Sequence, residues 1–353
     1  MNTMNNDKFV ILGDTHFGNG NSSLIHHANM RKFYVDLFKY IDDNGITSIL
    51  QLGDLFDVRK HINTWTLNYF REVFLNPVIQ RNLHVYVLLG NHDIYYRESL
   101  SVSSVEEVLG HFSNWFTVIK EPKEYTIGGS NFLVVPWVCK ENEVAVSKAI
   151  AESTADYCAG HFEFNGFEFF QGQFAKAGHN HTEYSKFKTV FSGHYHHRSS
   201  RDNIVYTGTP YQLTWNDNGC SRGFYVFQNG HYEFVENIHQ LYSAFSLSQY
   251  PDGIPEEIIT EKYVKITVDT ELDSKSRTTL LDRLYSYNPH TIRLIEPRVE
   301  SAESVSVQHT EKTGIDCLIT DYVNNMTTSP NIDRDRLNTI MLNMFIEASA
   351  NAS

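Results

Sequence analysis

The sequence predicts an α/β fold over its first two thirds, followed by a small β-α-β unit and a helical segment. Three observations carry this expectation. Short apolar runs alternate with helical stretches up to about residue 240. Five of those runs stop at a glycine beside a side chain able to bind metal. After residue 240 the apolar spacing changes character. Composition agrees: 353 residues, 41% hydrophobic and 20% charged, belong to a globular chain and exclude wholesale disorder. No stretch approaches the roughly 18 consecutive apolar residues of a membrane span. The opening Met1-Asn2-Thr3-Met4 lacks the basic-then-apolar grammar of a signal peptide. Cys139, Cys158, Cys220 and Cys317 form no C-x-x-C pair, so neither a zinc ribbon nor a disulfide framework is expected, and a reducing cytoplasm fits.

Phe9-Val10-Ile11-Leu12 reads as a strand running into Gly13-Asp14. A helix is expected over 22–43, with Phe33, Leu37, Phe38 and Ile41 at helical spacing and Asn44-Gly45 as its stop. His26 and His27 open that helix and are expected in solvent. Ile49-Leu50-Gln51-Leu52 runs into Gly53-Asp54, and Val85-Tyr86-Val87-Leu88-Leu89 into Gly90-Asn91-His92-Asp93. Tyr157-Cys158-Ala159 leads to Gly160-His161, and Val190-Phe191 to Ser192-Gly193-His194. In α/β sheets sites form where strands end at their carboxyl edge, so five such exits can converge.

The expected organisation is a main domain over 1–240, a capping domain over 241–297, a linker over 298–314 and a helical segment over 315–353. In the capping domain Val264, Ile266 and Val268 alternate with polar residues, a helix spans 274–287, and Ile292 and Leu294 mark a second strand. In the last segment Leu318, Tyr322 and Met326 share one helical face, and Ile340 and Met344 another, with Pro330 between the helices. These faces either dock a partner or fold back on their own domain.

The five exits supply seven oxygen or nitrogen donors: Asp14, His16, Asp54, Asn91, His161, His194 and His196. Singly each is weak, since a Gly-Asp after a strand is commonly a turn. Together and in this order they are specific. Carboxylate, amide and imidazole without thiolate suit manganese, iron or zinc. Seven donors exceed one tetrahedral site; with one bridging carboxylate they make two sites of four.

This set resembles the calcineurin-like metallophosphoesterase superfamily, and within it the SbcD-type double-strand-break-repair nucleases, most closely their phage recombination members. The likeness covers nearly the whole chain, including Asp57-Val58-Arg59-Lys60, Val135-Pro136-Trp137, Gly160-His161-Phe162-Glu163 and Gly208-Thr209-Pro210. It implies a metallophosphoesterase β-sandwich flanked by helices. It implies that Asp14, His16, Asp54 and His196 hold one divalent ion, and that Asp54, Asn91, His161 and His194 hold the other. Manganese is the expected metal, with magnesium as the alternative. His92 matches the catalytic histidine of the family. Asp57 has two readings: an acid that orients His92, as in phosphatase relatives, or a turn cap. The activity implied is 3′-to-5′ exonuclease on duplex ends and endonuclease on single strands, in recombination, repair and replication. The implied partners are DNA and an SbcC-type ABC/SMC ATPase, in a heterotetramer built on a homodimer of this chain, with no membrane. Residues 64–74 and the helix after Glu98 resemble the family's dimer-forming helices. A phage source would place the protein in host cytoplasm.

A net charge of −13 and a pI near 5.7 argue against an unaided grip on DNA. Two divalent ions reverse the sign locally, and a partner is expected to supply the remaining grip. No G-x-x-x-x-G-K-[ST] occurs, so the ATPase is not on this chain. Arg59 and Lys60, with Tyr95 and Arg97, follow two metal motifs and are expected either to hold a DNA backbone or to be plain solvated loops. His179, His181 and His197 are not expected as ligands, and Tyr211 and Trp215 are expected to pack. The competing function is a phosphatase or phosphodiesterase acting on phosphoproteins or nucleotides; a non-catalytic scaffold would have lost ligands.

Overall fold

The computed structural model describes residues 7–170, 172–269 and 272–296, together with Val323, Arg334, Leu337 and Met341. The chain divides into two units, Met1–Pro297 and Arg298–Ser353. In the second, the four described residues are helical and Val323 is buried. Leu318, Tyr322, Met326, Ile340 and Met344 lie outside the described residues, as does most of the linker.

The first unit is built on two six-stranded sheets. One runs in the order His231–Glu236, Gly223–Gln228, Lys8–Leu12, Ser48–Gln51, His84–Leu88, Phe116–Ile119. The other runs Ser199–Arg201, Ile204–Tyr206, Thr189–Gly193, Tyr157–His161, Ser130–Val135, Lys123–Ile127. Strands buried on both faces read as continuous apolar runs, and Lys8–Leu12 does so for that reason. Phe9 and Ile11 point between the sheets, where they meet Phe132, Val134, Ala159 and Phe191 of the other sheet. Val10 and Leu12 point the opposite way, into a core shared with Phe33, Leu37 and Ile41. On the far side of the second sheet, Val146 and Ile150 of the helix Glu143–Glu152 cover Leu133, Val135 and Val190. The result is a helix-flanked β-sandwich, as expected.

The helix Leu24–Asn44 ends at Gly45, whose φ of 62° suits a residue without Cβ. Its first turn differs from the sequence expectation. His26 and His27 are buried, at 8% and 2% exposure. His27 stacks flat on Tyr69 with centroids 4.1 Å apart, and its Nδ1 accepts the Trp65 indole N–H at 2.9 Å. His26 Nε2 lies 2.9 Å from the Tyr242 hydroxyl. Partner side chains satisfy one nitrogen of each ring, which a helical wheel alone does not reveal.

Phe17, directly after His16, sits 1% exposed among Tyr34, Phe56, Tyr69, Phe70 and Phe74, with ring centroids 5.0–6.3 Å away. Phe17→Ala is expected to cost about 3–5 kcal/mol in urea denaturation. A loss below about 1 kcal/mol would contradict the packing described here.

A third sheet joins Tyr242–Ser246, Tyr263–Thr267 and Thr291–Ile295 in parallel, with the helix Ser274–Ser286 between the last two. It has its own core of Ile254, Ile259, Val264, Ile266 and Leu284. The strand Tyr242–Ser246 escaped the sequence reading. The helix after Glu98 begins only at Ser104, because Ile94–Tyr96 and Ser99–Ser103 first form a hairpin and Ser103 then caps the helix. Among the described residues, no helix is long and apolar enough to cross a membrane.

Candidate metal centre

Lys8–Leu12, Ser48–Gln51 and His84–Leu88 run parallel, as do Tyr157–His161 and Thr189–Gly193. Their carboxyl ends therefore gather in one place, and all seven expected donors come with them. Close backbone approach explains two of the glycines. A Cβ on Gly90 would stand 2.2 Å from Asp54 Oδ1, and one on Gly193 would stand 2.4 Å from Asp14 Oδ1. Three donors occupy left-handed backbone: His16 at φ 44°, Asp54 at φ 51° and His194 at φ 83°. That conformation costs roughly 1–2 kcal/mol per non-glycine residue, and such strain concentrates at functional sites.

The side chains form two groups that share one carboxylate. In the first, Nε2 of His16 and Nε2 of His196 face each other at 3.0 Å. Asp54 Oδ2 lies 3.7 Å from the former, and Asp14 Oδ2 lies 3.9 Å from the latter. In the second, Asn91 Oδ1 lies 3.0 Å from both His161 Nε2 and His194 Nδ1, and Asp54 Oδ2 lies 3.4 Å from His161 Nε2. Ligand atoms around one cation with bonds near 2.1 Å stand about 3.0–3.4 Å apart, so both groups fit a divalent ion with slight contraction. Asp54 faces both groups with the same oxygen. Its other oxygen accepts the His92 backbone N–H at 2.7 Å, which fixes the carboxylate plane. His161 donates Nδ1–H to the Leu52 carbonyl at 2.7 Å, turning Nε2 inward as a ligand requires.

Without a cation the charges balance by holding protons. Burial lowers the pKa of His16, but Asp57, Asp54 and Asp14 outweigh it and raise the imidazole to about 9. His161 likewise rises to about 9, because Asp54 and Asp14 overcome burial. Burial lifts Asp14 to about 7. Burial, reinforced by the positive His161, pushes His194 down to about 3. Below pH 9 an entering cation must displace protons from His16 and His161, so its affinity falls as pH falls. Calorimetric titration with manganese is expected to show tighter binding as pH rises from about 6 to 9, with proton release. Affinity independent of pH would contradict this.

Asp57 takes neither of its two expected roles through its carboxylate. His92 Nδ1 donates to the Asp57 backbone carbonyl at 2.6 Å, so the main chain orients the His92 ring. The Asp57 carboxylate instead stands 3.1 Å from Nδ1 of His16, off the line of a good hydrogen bond. His16 carries its donor nitrogen on the opposite side of that ring, so Asp57 supports a proposed ligand. Asp57→Ala is therefore expected to weaken metal binding about 10–100-fold while leaving His92 in place. Unchanged affinity with a displaced His92 would restore the orienting role.

Arg59 is half-buried, and Lys60, Tyr95 and Arg97 are exposed; Arg59 and Lys60 follow the Asp54 motif, and Tyr95 and Arg97 lie in and beside the strand Ile94–Tyr96 that follows the Asn91 motif. His179 and His181 stand apart from the cluster, and His181 lies 3.4 Å from Asp202. Tyr211 is buried and donates its hydroxyl to the Thr15 carbonyl, while Trp215 packs 4.8 Å from Tyr242. Two residues whose motifs the sequence displayed had no role assigned from it. Asp93, fully buried, accepts backbone N–H groups from Leu55, Phe56 and Gly90 at 2.9–3.3 Å, tying the two ligand loops together. Trp137 flanks His161 and His194 with ring centroids at 5.8 and 5.1 Å. The Gly90-Asn91-His92-Asp93 run held the signal for Asp93, a buried acid directly beside a donor motif.

The calcineurin-like phosphoesterase family matches residues 7–198. The chain is similar to exonuclease subunit 1 of Enterobacteria phage T4, with 30% identity over 351 residues that cover 97% of this chain and 99% of that protein. Among solved structures it is similar to GAP50, the anchor in the inner membrane complex of Plasmodium, at a TM-score of 0.40 and 14% identity, over 65% of this chain and 84% of that one.

Proposed function

Because the chain belongs to the calcineurin-like phosphoesterase family, we propose that its centre binds two divalent ions, manganese foremost, and hydrolyses phosphodiester bonds in DNA. The observation that carries this reading is Asp54 Oδ2, which faces His16 at 3.7 Å and His161 at 3.4 Å and so belongs to both donor groups. Ions held there supply Lewis-acid charge against phosphate oxygens and activate a water.

The protein's own groups do the rest. Asp14, His16, Asp54 and His196 hold one ion, and Asp54, Asn91, His161 and His194 the other. His92, with Nδ1–H committed to the Asp57 carbonyl, presents Nε2 to protonate the leaving oxygen or stabilise charge on the phosphoryl group. DNA is favoured over a phosphoprotein or small ester by the identity with an exonuclease subunit along 97% of the chain. In this reading the chain is the nuclease subunit of a recombination and repair complex, 3′-to-5′ on duplex ends and endonucleolytic on single strands. An SbcC-type ATPase is its partner, in a heterotetramer in the host cytoplasm, and the capping domain and Arg59, Lys60, Tyr95 and Arg97 contact DNA. The net charge of −13 supports a requirement for that partner.

The test mixes purified protein with linear duplex DNA, single-stranded circles and a generic phosphate diester, in manganese, magnesium or chelator. Manganese-dependent cleavage of both DNAs, enhanced by the ATPase subunit, is expected. Hydrolysis of the generic ester alone would replace the nuclease reading with a phosphodiesterase or phosphatase.

A further inference from the structure

A cavity of about 800 Å³ opens beside the centre, with His194 and His196 in its wall. Whatever fills it lies against a donor from each of the two groups. Part of its wall is the ribbon of Glu168–Phe170 and Gln173–Phe174, two strands that among the described residues pair only with each other. Phe169 on this ribbon lines the cavity at 40% exposure, its ring 6.1 Å from Tyr195. Lys176 lines it too, exposed and without an ion-pair partner among the described residues.

Of the other polar groups in the wall, Arg222, Asp217, Thr214 and His197 are already engaged. Arg222 donates to the His196 carbonyl and the Thr209 hydroxyl, and its Nη2 lies 2.7 Å from Asp217 Oδ1, so it anchors the loop that bears His196. His197 Nε2, one residue beyond His196, stands 3.7 Å from Glu168 Oε2, which links the ribbon to that same loop. Phe169 thus sits one residue from a ribbon side chain that approaches the His196 loop. An exposed aromatic face and, among the described residues, an ammonium without an ion-pair partner remain in the lining of a space sized for a nucleotide.

An aromatic face takes a splayed base, and a lone cation takes a backbone phosphate. We infer that this cavity holds the nucleotide adjoining the scissile phosphate, its base on Phe169 and its outer phosphate at Lys176. The inference rests on the DNA reading given above and assigns the ribbon as the element that grips the strand being cut.

The test compares the manganese-loaded parent with Phe169→Ala, Lys176→Ala and the double variant. Both residues are exposed, and thermal unfolding of each variant is expected to match the parent. Deoxyadenosine monophosphate, titrated calorimetrically, is expected to bind the double variant roughly tenfold more weakly than the parent. The KM for DNA ends is expected to rise by a similar factor. Hydrolysis of bis(p-nitrophenyl) phosphate, which reaches the centre without filling the cavity, is expected to stay within about twofold. Parent-like nucleotide binding and DNA KM in the double variant would overturn the cavity assignment and leave the nuclease reading standing. A parent that hydrolyses the small ester but never DNA would overturn both. Loss of small-ester hydrolysis in the variants would also overturn the assignment, because the residues would then act through the centre itself.

Discussion

Asp54→Asn is expected to abolish hydrolysis, by at least about a thousandfold, and to remove tight binding of both ions. The carboxylate uses its two oxygens for different tasks: Oδ1 accepts the His92 N–H at 2.7 Å, and Oδ2 faces His161 and His16. Asparagine has the same shape but only one acceptor oxygen. If that oxygen keeps the His92 N–H, an NH₂ group points at the place shared by the two ions. If the amide flips, the NH₂ meets the His92 N–H and the loop must shift. Either way the charge common to both groups is gone. Although Asp54 is buried, His161, His16 and His92 hold its carboxyl well below the usual carboxylate range, so it is ionised wherever the enzyme would work. Manganese titration of the variant settles the matter, and two ions bound at parental affinity would contradict the bridging role.

His92→Ala is expected to have the opposite signature. Its ring contributes to neither donor group, and the backbone N–H that holds Asp54 survives the substitution. Both ions should bind as in the parent, while kcat for DNA falls about 10²–10⁴-fold, the range for losing a general acid, with KM little changed. Single-turnover kinetics together with a manganese titration separate the two effects. A variant that cleaves at the parental rate would remove the proposed role, and one that loses an ion would make His92 a ligand.

Much of this centre was legible because strand endings are local events. Gly13-Asp14, Gly53-Asp54 and Gly90-Asn91 mark where strands stop, and at Gly90 the missing side chain also lets the Asp54 carboxylate approach, so the order of residues pointed to the candidate donors. The continuous apolar run at Phe9 to Leu12 likewise announced burial on both faces. Features set by contacts between distant segments were not legible. Burial of His26 and His27 depends on Tyr242 and Trp65, which the sequence places 216 and 38 residues away from their partners. The strand Tyr242–Ser246, read as Tyr-Ser-Ala-Phe-Ser, has too little apolar alternation to declare itself and forms because Tyr263–Thr267 pairs beside it. The direction of the Asp57 carboxylate is a rotamer fact. Spacing could say that Asp57 lies near the centre but not that it turns to His16 and leaves His92 to a carbonyl.

The account stands on two ions sharing one carboxylate, and anomalous scattering from crystals grown with manganese tests this most directly. Two peaks about 3.5–4 Å apart are expected, with Asp54 Oδ2 between them, His16 and His196 on one and His161, His194 and Asn91 on the other. A single peak, or two that do not share Asp54, would contradict it.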